Sequence, residues 1–284
     1  MSEAVNQVLP EASFTIQHSS PRNIKLVLEY DGTDFKGSQL QANARTVQGE
    51  LETALARLTG LKAGERCVVS LAGRTDSGVH ASGQVANFLT ASHLSLETFR
   101  RGLNALLPFD LAVLSAEEVP EDFHARFSAK ERAYRYFILN RTVRSPLAQR
   151  FAYQVVQPLD LAAMQVAATR LVGERDFASF AGAGWGVKAQ LDPQGDNPST
   201  VRNLFKAFWL VETSWQGGDR LVLEVVANAF LPHMIRNIVG TLLLVGKGEC
   251  NPEDFARIVA VCDRRQAGPT APACGLSLVS VRYY

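Results

Sequence analysis

The apolar residues of this chain switch back and forth between the spacing of a β-strand and the spacing of an α-helix. Residues 24–30 alternate apolar and polar, which predicts a half-buried strand. Residues 47–58 instead place apolar side chains at helical spacing behind Thr46, a residue type that caps helix N-termini. A helix after Ser95 and a strand over 132–139 follow by the same reasoning. The first half therefore predicts the order strand, helix, strands, helix, strand.

The second half of the chain repeats this pattern with different residues. Its predicted elements are a helix over 161–172 capped by Asp160 and closed by Gly173, strands over 203–212 and 221–228, a long helix between Pro232 and Gly246, a helix from Asn251-Pro252, and a strand over 275–283. Strands that alternate on one face and helices with one apolar stripe predict antiparallel sheets covered on one face by helices. The expected fold class is α+β.

Domain organisation follows from where this pattern starts and where it is interrupted. Residues 1–22 are polar, lack periodicity and predict a disordered N-terminal arm. The two halves that follow span 23–150 and 151–284. Residues 181–199 are rich in Gly, Pro, Asn and Asp, which predicts a long loop inserted in the second half.

Composition excludes several classes of protein. The formal net charge is +1, so any nucleic-acid partner must bind a local basic surface. The four cysteines form no Cys-x-x-Cys pair and have no zinc-ligand spacing with the histidines, so neither structural zinc nor a disulfide framework is expected. No apolar run approaches the roughly 20 residues of a membrane span, and no secretory or transit signal is recognisable. We expect a cytoplasmic protein without a membrane contact.

A polar turn over 73–81 lies between two apolar runs, 68–72 and 84–89, that read as buried strands. A loop held by rigid strands keeps a reactive group in place, so Asp76 and Arg74 become the first candidates for chemistry. The alternative is an ordinary turn in which the aspartate caps its own backbone and a glycine supplies a positive φ. The local sequence alone favours that alternative.

The segment 124–150 is both basic and aromatic. It holds seven Lys or Arg residues against one acid, with four aromatic residues interleaved: Phe127, Tyr134, Tyr136 and Phe137. Basic side chains beside rings can stack bases and hold a phosphate backbone. The alternative is a strand with a solvated face whose aromatics pack a core. Because residues 132–136 are expected in the same sheet as the Asp76 turn, the RNA-binding interpretation is favoured.

Other motifs do not support a site. The glycine spacing of 73–78 is that of a phosphate loop, but Val79 stands where a lysine is required. Asp76 and His80 lack a third metal ligand, and Ser77 lacks the Gly-x-Ser-x-Gly frame of a serine hydrolase. No metal site is expected. Three histidines are interpreted as making structural hydrogen bonds: His80, His124 and His233.

Several longer segments occur together in a characteristic order. They are Tyr30-Asp31-Gly32-Thr33, Arg45-Thr46-Val47-Gln48-Gly49, Ala72 to Ala81, Phe123-His124-Ala125-Arg126-Phe127-Ser128-Ala129, Tyr134-Arg135-Tyr136, Phe230 to Gly240 and Gly275-Leu276-Ser277-Leu278. With these motifs, residues 23–284 closely resemble the tRNA pseudouridine synthase A family. The resemblance implies two pseudo-symmetric α+β halves, joined into a continuous sheet with a central basic cleft.

The resemblance also assigns roles to residues. It implies that Asp76 is the catalytic residue, which makes 23–150 the catalytic half, that Tyr134 contacts the target uridine, and that Arg236 pairs with the aspartate. Arg74 would hold the flipped nucleotide or its phosphate. Three further arginines of the basic segment are candidate RNA contacts: Arg126, Arg132 and Arg135.

The activity implied is the isomerisation of uridine to pseudouridine in the anticodon stem-loop of tRNA, at positions 38, 39 and 40. The reaction has no net redox change, so no cofactor is expected, and the resemblance implies a homodimer that holds tRNA across both subunits. Whether Asp76 attacks the sugar, attacks the base or removes the C2′ proton is open. A non-catalytic RNA-binding protein and a carboxylate-dependent hydrolase are the alternative classes.

The chain departs from the family pattern at two places. Ser38 stands where most members have tryptophan, which leaves the arrangement of the loop after the first strand open. The insert between residues 180 and 199 is longer than the usual connection, so RNA contacts near it cannot be transferred from the family.

Overall fold

Ten strands and five helices make up the regular structure of the described part of the chain. The computed structural model describes residues 21–62, 64–182, 199–214 and 218–284. In chain order the elements are β1 (Arg22–Tyr30), α1 (Val47–Thr59), β2 (Ser70–Leu71), β3 (His80–Thr90), α2 (Leu96–Leu106), β4 (Leu111–Val119), β5 (Glu131–Asn140), β6 (Tyr153–Val155), α3 (Leu161–Thr169), β7 (Gly173–Asp176), β8 (Val201–Ser214), β9 (Gly218–Ala227), α4 (Met234–Gly246), α5 (Pro252–Val261) and β10 (Leu276–Arg282).

The strands belong to one continuous sheet, in the order β4-β1-β3-β10-β5-β9-β8-β7, with β2 paired to β3 and β6 paired to β5. The sheet is mixed, since β10 runs parallel to β3 while most neighbours are antiparallel. This arrangement confirms the predicted α+β class and the continuous sheet. The predicted antiparallel halves are corrected at two pairings, since β10 runs parallel to β3 and β6 runs parallel to β5.

Strand β10 joins the two halves of the sheet. Leu278 pairs with Ala81 of β3 on one side and with Tyr134 of β5 on the other. The start of β3 directly follows the turn that carries Asp76. Only β10 therefore lies between this turn and Tyr134 on β5. Strand β10 thus sets the spacing between Asp76 and Tyr134, the two residues that the resemblance places in the site.

Most predicted elements are confirmed, with differences at their ends. Thr46, Ser95 and Asp160 cap their helices as predicted, and each side-chain oxygen accepts a hydrogen bond from a backbone N–H of the first turn. Helix α3 ends at Thr169, and Gly173, at φ +102°, begins β7 instead of closing the helix. Edge strand β4 was not predicted, because its second half is largely polar and exposed.

Two predicted segments fall mainly outside the described residues. The N-terminal arm was predicted over 1–22, and β1 already begins at Arg22, while residues 1–20 are not described. The predicted insert spans 181–199, of which 183–198 are not described. The two halves and this insert remain predictions of domain organisation.

Helix α4 is the buried centre of the second half. Eleven of its thirteen residues are buried, and it packs against α3 and α5. A helix covered on nearly every side is largely apolar, and the buried polar side chains of this one, Asn237 and Thr241, are hydrogen-bonded within the protein. The position of Arg236 on this helix is therefore held by packing on all sides. Among the residues described, no helix is both long and apolar enough to cross a bilayer.

The turn over residues 72–79, called here the Asp76 loop, is held from behind by the segment that follows β1. The N–H of Ser38 donates to the carbonyl of Thr75 at 3.0 Å, and the N–H of Thr75 donates to the Ser38 hydroxyl at 2.8 Å. The Tyr30 hydroxyl lies 2.8 Å from the Thr75 hydroxyl. Ser38 is fully buried, so these hydrogen bonds form away from competing water. The serine that departs from the family pattern thus holds the residue next to Asp76.

Two glycines allow this close approach. A Cβ atom on Gly32 would lie 1.9 Å from the carbonyl oxygen of Val79, inside the backbone itself. Gly37 has φ +94°, a conformation that glycine adopts without strain, and a Cβ there would lie 3.0 Å from the carbonyl oxygen of Thr75. The segment after β1 and the Asp76 loop therefore pack backbone to backbone.

Removing the Ser38 hydroxyl should loosen this contact. In Ser38→Ala the buried N–H of Thr75 loses its acceptor, so we expect the free energy of unfolding to fall by about 1–3 kcal/mol. Urea denaturation measures this change. Ser77→Ala is the matched control. It removes the hydroxyl of an exposed residue in the same loop, which donates to the carbonyl oxygen of Phe35, and it should lower the free energy of unfolding less. Equal stability of the two variants would show that the Ser38 hydrogen bond does not hold the loop.

Candidate active site

A cavity of about 290 Å³ opens where the Asp76 loop, β5 and the segment before α4 meet. Its walls include Arg74, Asp76 and Tyr134, three residues that sequence analysis placed in the site. The fourth, Arg236, reaches the cavity through its bond to Asp76. The structure therefore brings together side chains that come from both halves of the chain.

Asp76 and Arg236 form an ion pair. Nη1 of Arg236 donates to Oδ2 of Asp76 at 3.0 Å, and Nε of the same guanidinium donates to the carbonyl oxygen of Ala271 at 2.8 Å. Because the guanidinium is planar, these two hydrogen bonds to two fixed acceptors fix its orientation. The Asp76 side chain is 29% exposed and that of Arg236 17% exposed. The carboxylate is thus held by one oxygen while it remains open to the cavity.

His233 is a site residue that sequence analysis missed. Its Nε2 lies 3.5 Å from Oδ2 of Asp76, and its side chain is 45% exposed in the cavity wall. The backbone of His233 has φ +60°, in the left-handed region, at the residue before α4. The interpretation of His233 as making a structural hydrogen bond is therefore corrected: its ring faces the carboxylate. The sequence carries no signal for this, since the contact depends on how α4 approaches the Asp76 loop.

The other two histidines have structural partners, as predicted. Nδ1 of His80 accepts a hydrogen bond from the N–H of Gly32, and burial lowers the pKa of this imidazole, which favours its neutral form. Nδ1 of His124 accepts from the N–H of Arg126 at 3.1 Å. Neither ring is part of the wall of this cavity.

Tyr134 forms an aromatic wall of the cavity. It is buried, and the edge of its ring meets Phe230 with the ring centres 5.1 Å apart. Burial raises the pKa of its phenol well above the ordinary value, so the hydroxyl keeps its proton at neutral pH. A neutral ring in this position is suited to packing against a flat base, and it is a weak acceptor for a proton.

The arginines of the basic segment have different surroundings. Arg132 is buried and donates to the carbonyl oxygens of Ala72 and Asn228, so it braces the base of the Asp76 loop. Arg135 forms ion pairs with Glu212 and Glu224 on strands β8 and β9. These guanidiniums are already engaged by protein groups, and an RNA contact by either one stays a prediction.

Arg74 and Arg126 are exposed and line the cavity mouth. Arg202, which sequence analysis did not single out, also lines the cavity, and the Nε of its guanidinium is buried without a hydrogen-bond partner among the described residues. Positive charge therefore surrounds the opening that leads to Asp76. Such an arrangement attracts phosphate groups.

The described residues contain no group of three or more His, Cys, Asp or Glu side chains that could hold a metal ion. The chemistry available from these residues is that of one carboxylate, held by an arginine and faced by a histidine and a tyrosine. A carboxylate can attack carbon or accept a proton.

One protein family matches most of this chain. The profile described as tRNA pseudouridine synthase matches residues 26–128 and 167–284. A solved structure of a Cbf5-Nop10-Gar1 complex covers 89% of this chain and 57% of that chain at 10% identity with a TM-score of 0.31, a likeness too weak to bear on the fold.

Similar proteins match over nearly the whole chain. The tRNA pseudouridine synthase A of Roseiflexus castenholzii is 49% identical over 265 residues, which is 92% of this chain and 91% of that protein. Those of Chloroflexus aurantiacus and Halalkalibacterium halodurans are 48% and 42% identical, covering 92% and 90% of this chain and 89% and 90% of the respective relatives. With a matching profile over most of its length and relatives at this identity, the chain belongs to the tRNA pseudouridine synthase family.

Proposed function

We propose that this protein isomerises uridine to pseudouridine in the anticodon stem-loop of tRNA, at positions 38, 39 and 40, with Asp76 as the catalytic residue. The observation that carries the proposal is the Asp76 carboxylate, which is bonded to Arg236 and opens into a cavity that Tyr134 also lines. Family membership supports the reaction, and the exposed arginines at the cavity mouth support an RNA substrate.

The reaction moves one bond within the nucleotide. The C1′–N1 bond breaks, the uracil turns over, a C1′–C5 bond forms, and the proton on C5 is lost while N1 gains one. Stacked RNA hides C1′, so the target nucleotide must leave the stack, at a cost of a few kcal/mol. The cavity of about 290 Å³ lies near the lower end of ligand pockets, which suits a single nucleoside.

Asp76 is assigned as nucleophile or base. Attack on C1′, attack on the base and removal of the C2′ proton each require a carboxylate with one free oxygen close to the nucleotide. Arg236 occupies Oδ2 and leaves Oδ1 for this task. The fixed guanidinium also supplies positive charge that needs no rearrangement during the reaction.

Tyr134 is assigned to hold the uracil by packing. Because burial raises the pKa of its phenol, the hydroxyl is a poor base for the C5 proton. A water molecule or the Asp76 carboxylate is better suited to take that proton. Arg74 and Arg126 at the cavity mouth are assigned to the phosphates that flank the flipped nucleotide.

A homodimer and a cytoplasmic location complete the proposal. Support for a dimer comes from three exposed apolar side chains in the segment after β5: Val143, Leu147 and Phe151. Exposed apolar side chains within one short segment of the chain are consistent with an interaction surface. Support for the cytoplasm comes from the four cysteines, all of which are free, as is usual in a reducing compartment.

Asp76→Asn should abolish turnover while tRNA binding remains. The amide keeps the shape of the carboxylate but neither attacks carbon nor accepts a proton. We expect release of tritium from uridine C5 of a labelled tRNA transcript to slow by at least about 10²-fold. Filter binding of the same tRNA should change little, and Asp122→Asn, at an exposed aspartate, serves as the control.

Wild-type protein that releases no tritium from any anticodon-arm substrate would overturn the isomerase proposal. Tight tRNA binding without release by the wild type would favour the non-catalytic RNA-binding alternative.

Arg236→Ala should lower both stability and turnover. Asp76 and Arg236 are partly exposed, so we expect the free energy of unfolding to fall by about 1.5–3 kcal/mol, less than for a fully buried pair. Loss of the oriented charge should lower kcat by about 10²–10³-fold. Arg236→Lys keeps the charge but cannot bond Asp76 and Ala271 together, so both losses should be intermediate. Denaturation and single-turnover kinetics measure the two effects, and an unchanged kcat in Arg236→Ala would remove Arg236 from the catalytic machinery.

A further inference from the structure

A second cavity adjoins the catalytic one. It measures about 240 Å³, and Arg74 and Arg126 line both cavities. Its other walls include Leu71 and Ser70 of β2, the Gln39 side chain and the ring of Phe127. We call it the flanking cavity. Since it is slightly smaller than the catalytic cavity, its size suits one further base.

Phe127 presents an open ring at this cavity. Its side chain is 74% exposed, so the ring contributes little buried apolar surface to the stability of the fold. Two neighbouring side chains contact the ring: the His124 ring centre lies 4.4 Å from its centre and the Arg126 guanidinium 5.5 Å from it. The ring is therefore held in place while much of its surface remains free.

The backbone around Phe127 holds the ring in position. Ser128 N–H donates to the carbonyl of His124 at 2.9 Å, and Nδ1 of His124 accepts from the N–H groups of Arg126 and Phe127. These bonds close a tight turn between β4 and β5. A ring on such a turn can stack on a ligand with little loss of conformational entropy.

The other aromatic residues of the basic segment are engaged elsewhere. Tyr134 and Tyr136 are buried, and the Arg220 guanidinium lies 4.1 Å from the ring centre of Phe137. Within segment 124–150, all of which is described, Phe127 is the ring most open to solvent. Of the aromatics that the sequence pattern linked to RNA, this one has both the exposure and the neighbouring charge that stacking requires.

We propose that the flanking cavity binds the base of the nucleotide next to the target uridine, stacked on Phe127, with the phosphate between the two nucleosides held by Arg74 and Arg126. This inference rests on the proposed function. Two arginines that line both cavities lie where a linking phosphate must pass. The adjacent base then enters a site with an aromatic wall and a positive rim, which complements a stacked base on an anionic backbone.

Gln39 is the side chain available to the edge of this base. It is exposed, and its amide offers both a donor and an acceptor. Gln48, in the same wall, already donates to Glu52 and Val69 and accepts from Leu40 N–H. A single free amide contributes a hydrogen bond but little discrimination between bases, so stacking is the main source of affinity.

Fluorescence of a substituted tRNA tests the proposal directly. 2-Aminopurine, whose emission is quenched when it stacks, replaces the nucleotide on the 5′ side or the 3′ side of the target uridine in two separate transcripts. Both are titrated with Asp76→Asn protein, which holds the substrate without turnover. We expect the emission at one of the two positions to be lower in this complex than in the matching complex that also carries Phe127→Ala, and the position identifies which neighbour enters the flanking cavity.

Substitutions of Phe127 identify the stacking partner. In the Asp76→Asn background, Phe127→Ala should abolish the quenching and raise the Kd for tRNA about tenfold. Phe127→Trp keeps an aromatic surface and should retain both. Phe109→Ala removes another fully exposed ring, located between α2 and β4, and should change neither.

Full quenching and unchanged Kd in Phe127→Ala would overturn the proposal. So would equal loss in Phe127→Ala and Phe127→Trp accompanied by a lower melting temperature, since that result indicates a structural role. Tritium release by wild-type protein with the unsubstituted transcript is measured in parallel. Failure of that release would contradict the proposed function, whereas release together with an unaffected Phe127→Ala variant would contradict the flanking site alone.

Discussion

The ion pair between Asp76 and Arg236 is the interaction on which the site depends. Its partners are 160 positions apart in the chain, one on a turn before β3 and the other on the buried helix α4. Neither side chain is placed by its own element alone. The turn is held by Ser38 and Tyr30 through Thr75, and the guanidinium is held by Ala271. The orientation of the carboxylate therefore depends on contacts between segments that are distant in the chain.

Local chemistry explains which parts of this structure were predictable. Capping residues, alternation in β1 and the apolar stripe of α1 act within a few residues, so the sequence pattern predicts those elements correctly. The parallel pairing of β10, the ring of His233 beside Asp76 and the ion pairs of Arg135 arise between elements that are distant in the chain. A count of positive charges in segment 124–150 does not reveal which of them are already neutralised by carboxylates of β8 and β9. The prediction of Asp76 as the catalytic residue came from the family resemblance, since the local turn pattern favoured a structural role.

Ser38 shows how one family scaffold accepts different residues at a position close to the site. A tryptophan would fill space beside the loop, whereas the serine hydroxyl accepts a hydrogen bond from the backbone of Thr75. Because the glycines at 32 and 37 let the two backbones approach, a small residue leaves no gap that a ring must fill. In this chain the turn is thus supported by backbone contact and by the Ser38 hydroxyl.

The central position of β10 in the sheet links the assembly of the sheet to the order in which the chain is synthesised. The ribosome makes β3 and β5 long before β10, yet these strands are neighbours of β10 and not of each other. Until β10 has been made, each half carries an open strand edge, which is a template for wrong pairing. The sheet that holds β3 and β5 at their distance from each other is therefore complete only once β10 has been made.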